Sequence, residues 1–265
     1  MKHALRVTVA SVAIILAAIA ASAQSVGKIE SELMVHVRTI KKYSAYGPSR
    51  DYDRLGKENA AFSKKLRVYA KLTRTLGYSF PSLSKEIFIS TSRDGKFRIY
   101  SWDTEEGGTM HDYKSVFQYQ GKSGKVRSWS FPESEDFSVG GFYHQIFQVN
   151  TGQGNVYLAN STFILSNPLA MQELEVFRID GERLNTNMKM IRTNSGLTGS
   201  ISFEYDFFSV VDHPERPIRL FSFDPEKKEF RFPVVLEDPK FLNGGRVTDK
   251  YIAYRFNGKY FVKVK

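Results

Sequence analysis

One stretch constrains the fold more than any other: Glu86-Ile-Phe-Ile-Ser-Thr-Ser-Arg-Asp-Gly-Lys-Phe-Arg-Ile-Tyr-Ser-Trp102. Two runs rich in β-branched and aromatic residues flank Asp94-Gly95. That pair tolerates the positive φ of a tight turn, so the runs are predicted to pair antiparallel. In the second run Phe97, Ile99 and Ser101 alternate with Arg98, Tyr100 and Trp102, the period of a strand. Further alternating runs reach from residues 115–120 through 200–211 to 259–264, with turn signals at Gly107-Gly108, Asp180-Gly181 and Asn257-Gly258 among others. No long helical period follows Glu86. The pattern predicts a mainly β fold, an antiparallel meander built as a curved sheet, barrel, sandwich or propeller-like array.

The chain before this stretch reads differently. In residues 28–46 Ile29, Leu33, Val37 and Ile40 keep helical spacing, with Glu30 and Glu32 early and Lys41 and Lys42 late, as a helix dipole prefers. Gly47-Pro48 stops that helix, and residues 50–57 read as a charged connection. A second helix is expected over 58–76, with Phe62, Leu66, Tyr69, Leu72 and Leu76 on one stripe. His36 lies off the first stripe and is expected in solvent. The two helices would pack on the sheet that follows, and the chain is expected to divide near Phe80-Pro81 into a helical segment (24–80) and an antiparallel β domain (81–265).

Residues 1–23 have the composition of a secretory leader. Lys2 and Arg6 precede an apolar run from Val7 to Ala20, and Ala21-Ser22-Ala23 fits a cleavage site. Export to the periplasm or the cell exterior is expected, with no transmembrane segment after cleavage. The 265 residues include no cysteine, which excludes disulfides, thiolate nucleophiles and cysteine-bound metals; such a chain folds on its core alone. The net charge is +10. Loss of the leader removes two bases and no acid, leaving 36 basic against 28 acidic residues. That balance favours an acidic envelope polymer, anionic lipid or an acidic protein partner. Nucleic acid is not expected in that compartment, and no cofactor is implied.

The run Arg98-Ile-Tyr-Ser-Trp-Asp103 and the terminal Phe256-Asn-Gly-Lys-Tyr-Phe261 hairpin are similar to those of a set of uncharacterised exported bacterial β proteins, a resemblance that implies no particular activity. The Asp-Gly turn followed by a strand ending in Trp-Asp also resembles one blade of a WD-type propeller, but the Gly-His element of such a blade does not recur upstream.

Several groups carry candidate chemistry. Arg98, Tyr100 and Trp102 on one strand, with Arg127 and Trp129 on another, would make an arginine–aromatic platform for a sugar or acidic polymer; both tryptophans also fit a core. Glu204 and Asp206 fall two apart in an alternating run, roughly 6–7 Å from each other on one face of a strand. They are candidates for paired-carboxylate chemistry or a wet face balanced by neighbouring cations. His144 is a weak catalytic candidate by its near-neutral reference pKa, and a hydrogen-bonded, half-buried strand residue is the favoured reading. Asp103, Glu105, Glu106, His111 and Asp112 form an acidic loop that matches no metal motif, and His213 precedes Pro214 in a solvated loop. Two functions follow. One is a non-enzymatic exported binding protein for an envelope component or protein partner. The other is a hydrolase of a glycan or other envelope polymer using Glu204 and Asp206. Residues 200–211 are expected to form a central strand with Ile201, Phe203, Tyr205 and Phe207 in the core and Phe208 covered on the opposite face. The terminal hairpin, lysine-bearing on one face, is expected at an exposed edge.

Overall fold

A computed structural model describes residues 25–132 and 139–264; the expected leader lies outside them. Helix α1 (Val26–Tyr43) is capped by Ser25, whose hydroxyl accepts from Lys28 N at 3.2 Å. It buries Ile29, Leu33, Val37 and Ile40 as their spacing requires. Helix α2 (Tyr52–Tyr69) begins six residues earlier than the apolar stripe suggests. Asp51 accepts from Arg54 N at 3.1 Å as its N-cap, and Leu55 is buried on the inward face. A charged first turn with a capping Asp is a helix start, not a connection. The remainder of the expected second helix is a separate turn, α3 (Thr73–Leu76). His36 is not solvated as expected: it is half-buried and bonds to Glu58 across the two helices.

The strands run in chain order as β1 (Phe88–Thr91), β2 (Phe97–Asp103), β3 (Tyr113–Gln120), β4 (Val126–Trp129), β5 (Phe142–Thr151), β6 (Gly154–Ile164), β7 (Leu169–Asp180), β8 (Arg183–Asn185), β9 (Ile191–Thr193), β10 (Gly196–Thr198), β11 (Ser200–Asp206), β12 (Ser222–Asp224), β13 (Glu229–Leu236), β14 (Arg246–Phe256) and β15 (Phe261–Lys263). They form three sheets, with orders β1-β2-β3-β4, β11-β7-β6-β5 with β8 beside β7, and β10-β9-β15-β14-β13-β12. None closes into a barrel. All pairings are antiparallel except β15 with β9. Asp94-Gly95, Asp180-Gly181 and Asn257-Gly258 each turn the chain between adjacent antiparallel strands, and Gly95 has the positive φ (69°) such a turn asks for.

Alternation within the strands explains how these sheets stack. On β2, Tyr100 and Trp102 face the helices, sharing a core with Leu33, Phe62, Leu66 and Phe80. Phe97 and Ile99 face the other way, onto Tyr143, Tyr157, Ala159 and Phe177 of the second sheet. The second sheet's opposite face, Val156, Leu158, Leu174 and Val176, meets Phe230, Phe232, Tyr254 and Phe261 of the third. The order is therefore helices, first sheet, second sheet, third sheet. Strand β6 is covered on both faces, and Val156 to Thr162 are all buried. The helical pair ends by Leu76 and the strands begin at Phe88. One core spans both parts.

Two expectations about strands need correction. Residues 200–211 are not one central strand: β11 ends at Asp206 and lies at the edge of its sheet, followed by a 3-10 turn, Phe207–Val210. Asp206 causes the break, because its carboxylate accepts from Phe208 N at 2.9 Å and caps the turn. Phe203 is only partly buried, stacked on Phe232 at 5.5 Å. Phe208 is 55% exposed rather than covered. The terminal hairpin is likewise not an edge. On its far side β15 pairs with β9, Phe261 opposite Ile191, and the sheet's edges are β10 and β12.

Candidate functional site

The expected arginine–aromatic platform does not assemble. Register sets Trp129 opposite Phe117, and Phe117 opposite Ile99. Trp129 therefore shares a face with Ile99, while Arg98, Tyr100 and Trp102 occupy the reverse face beneath the helices. All three of the latter are buried. The Arg98 guanidinium donates to Thr91 Oγ1 at 2.7 Å, Thr75 O at 2.9 Å and Tyr78 O at 2.6 Å. It ties the loop after α3 to the sheet. Tyr100 donates to Gln118 Oε1 at 2.7 Å, and Trp102 Nε1 donates to Asn59 Oδ1 at 3.0 Å with Phe62 edge-on at 4.9 Å. Burial pushes the Tyr100 hydroxyl pKa up. Arg127 holds Glu182 at 2.9 Å, and Trp129 packs on Phe117 and Phe131. Backbone and guanidinium donors from Ser123 and Arg127 hold the Glu182 carboxyl below its usual range.

Glu204 and Asp206 also part company. Glu204 is exposed, whereas Asp206 is 3% exposed and occupied as a cap. His144 is hydrogen-bonded in a strand, its Nε2 at 3.0 Å from Thr162 Oγ1. Burial and the nearby charge of Arg219 push it down to about 3, so the ring is neutral at ordinary pH. A carboxylate that sequence reading overlooked is also perturbed. Burial and the charge of Glu173 raise Glu175 to about 7, while the hydroxyl of Tyr143 bonds to it.

In the acidic loop, Asp103 Oδ2 lies 2.6 Å from His111 Nδ1, and Tyr46 stacks on that imidazole at 5.2 Å. Burial and the charges of Asp103 and Glu105 raise the Tyr46 hydroxyl to about 12. Glu105 has φ 59° and accepts from Ser44 at 2.7 Å. These bonds fasten the end of α1 to the end of β2. Among the described residues no group of three or more acidic or histidine side chains is placed to hold a metal.

An open arginine–aromatic pair occurs elsewhere. A cleft of about 270 Å³ lies between the loop before β12 and the outer face of β13 and β14, lined by His213, Arg219, Ser222, Arg231, Asp249 and Tyr251 among others. Arg231 stands opposite Ala253 and Pro233 opposite Tyr251, which makes Arg231 and Tyr251 diagonal neighbours on one face. The guanidinium sits over the Tyr251 ring at 5.0 Å and donates to Ser222 Oγ at 3.0 Å. Tyr251 is 53% exposed and Arg219 and Arg231 are exposed. The alternation of Arg231 with Phe230 and Phe232 was visible in the sequence; the approach of residues 213–222 was not. A larger cleft, about 390 Å³, runs past Arg93, Asp94, Asn150 and Lys228. Within it Asp94 accepts from Ser92, Asn155 and Tyr157, and Lys228 donates to Asn150 O, while Arg93 is exposed.

No family model, curated protein or solved structure matches this chain.

Proposed function

We propose that the chain is an exported, non-enzymatic binding protein whose ligand is an acidic envelope polymer, held at the cleft of Arg219, Arg231 and Tyr251. The observation that carries this reading is the Arg231 guanidinium lying over an exposed Tyr251 ring beside a second exposed guanidinium. A flat ring with forked donors suits a sugar ring and its carboxylate. Asp249 is the one carboxylate lining the cleft, against two arginines and His213. The mature chain's excess of 36 basic over 28 acidic residues favours the same class of ligand and speeds its approach at low salt.

The test is a titration of the mature chain with acidic and neutral polysaccharides at two salt concentrations, with chain cleavage of the polymer followed in the same samples. Binding to the acidic set is expected, weakening as salt rises. Arg219→Ala and Arg231→Ala should each lower affinity by about tenfold, the scale of a lost charge-assisted contact. Binding that neither substitution weakens would move the site elsewhere. Polymer cleavage abolished by Glu204→Gln would favour hydrolysis instead.

A further inference from the structure

Strand β11 lies at one side of the second sheet, and the middle of its outer edge is open. Val176 N donates to Gly199 O at 2.9 Å. The odd-numbered residues of β11 therefore bond inward to β7, and the even-numbered ones point their N–H and C=O groups away from it. At both ends these outward groups are taken. Asp206 N donates to Gly245 O at 2.9 Å, and Asp206 O accepts from Ser209 Oγ at 2.7 Å. Ser200 N and Ser200 O both meet the Thr198 hydroxyl, at 3.3 and 3.0 Å. Between the ends Ser202 and Glu204 are exposed, and among the described residues nothing bonds to their backbone groups.

The other sheet edges differ. Strands β1, β4, β8, β10 and β12 have three or four residues each. Strand β5 is met by β1, where Ser90 donates to Tyr143 O at 3.1 Å. Strand β11 keeps an unshifted register with β7 over its seven residues. It carries no lysine, proline or bulge of the kind that stops an edge from recruiting a strand.

We infer that this edge pairs with the same edge of a second copy of the chain, antiparallel across a two-fold axis at Phe203. In that register Ser202 faces Glu204 of the second copy, and Glu204 faces Ser202 of the second copy. Every open N–H and C=O then finds a partner, and the engaged groups of Ser200 and Asp206 are left undisturbed. The side chains agree, because each Ser202 hydroxyl can donate to the opposite Glu204 carboxylate. Centring the axis on Ser202 would face Glu204 with the occupied Ser200. Centring it on Glu204 would set the two carboxylates against each other. On the reverse face the Phe203 rings, each partly buried against Phe232, fall at the close, non-hydrogen-bonded position where cross-strand aromatic pairs pack. A self-complementary patch of this kind is what a two-fold dimer requires. The inference is independent of what the cleft binds.

The test is sedimentation of the mature chain over a dilution series. A monomer passing to a dimer is expected as concentration rises through the micromolar to millimolar range, a weak association in keeping with a short edge. Ser202→Pro removes an outward N–H and no bond to β7, so it should keep the wild-type circular dichroism and stay monomeric. Ser202→Lys should tighten the dimer roughly fivefold at low salt, and Ser202→Glu should loosen it by a similar factor, since residue 202 then meets Glu204 with opposite or like charge. Should Ser202→Pro fail to fold, the lysine and glutamate variants decide alone. A wild-type chain that stays monomeric throughout would overturn the inference. So would a dimer that Ser202→Lys weakens, which belongs to pairing centred on Ser202, or one that no Ser202 substitution alters, which uses another surface.

Discussion

Two surfaces of this molecule carry the same residue pattern and have opposite fates. On β2, Arg98 shares a face with Tyr100 and Trp102; on β13 and β14, Arg231 lies beside Tyr251. The first set is buried under α1, α2 and α3, and the second faces solvent. Alternation fixes which side chains share a face, but what lies over that face is settled by a distant part of the chain. For β2 the cover arrives from residues 26–80, and the arginine finds backbone carbonyls there in place of water. For β13 the loop before β12 leaves a cleft open over the outer face, and the arginine keeps a ring and one serine hydroxyl.

The contrast can be broken most forcefully at Trp102. Truncation of a buried aromatic costs about 3–5 kcal/mol, so Trp102→Ala should show the largest fall in denaturant midpoint, or fail to fold. Tyr251→Ala, measured the same way, should stay within about 0.5 kcal/mol of wild type. A tolerated Trp102→Ala would mean that the helices do not cover this face. Arg98→Ala comes next. It removes the guanidinium from the carbonyls of Thr75, which keeps Tyr78 N at 3.4 Å, and of Tyr78, which is left stranded, at about 1–3 kcal/mol, while Arg231→Ala should leave unfolding unchanged and affect ligand binding alone.

A third prediction uses pH. Burial and the charge of Glu173 raise the folded-state pKa of Glu175 from its ordinary 4.5 to about 7, so the native state holds a proton that the unfolded state releases. The sign follows from linkage: this carboxyl lowers stability progressively as pH rises from 4.5 towards 7, and the loss levels off above 7. Urea titrations across that range should show Glu175→Gln escaping the decline, with a gain over wild type at pH 8 on the order of 1–3 kcal/mol. Parallel curves for the two proteins would place the Glu175 carboxylate in water. The smallest effect is expected at Glu204. It is exposed, and Glu204→Gln should change stability by less than about 0.5 kcal/mol.

Much of the architecture was legible because it is local. The Asp-Gly and Asn-Gly turns, the α1 stripe and the alternation of β2 depend on neighbours within a few residues, and each took the form its pattern asks for. The errors arose where a side chain was used by something remote or overrode its own period. Asp206 reads as the next outward residue of a strand, yet it closes a turn on Phe208 N. Glu30 reads as a dipole residue in the first helix, yet it accepts from Ser82 N at 2.7 Å and Leu83 N at 2.9 Å and caps a 3-10 turn about fifty residues away. The cleft shares this character. Arg219, Arg231 and Tyr251 come from a loop and two strands, and only pairing register makes them neighbours.

The parallel contact between β15 and β9 bears on the order in which the chain can be completed. Strands β9 and β10 join the third sheet solely through β15, whose first residue is Phe261. During synthesis, Ile191 must wait about seventy residues for the partner that finishes its hydrogen bonds. Strand β15 works as a clasp: until Phe261–Lys263 is free to pair, the third sheet stays open at β9.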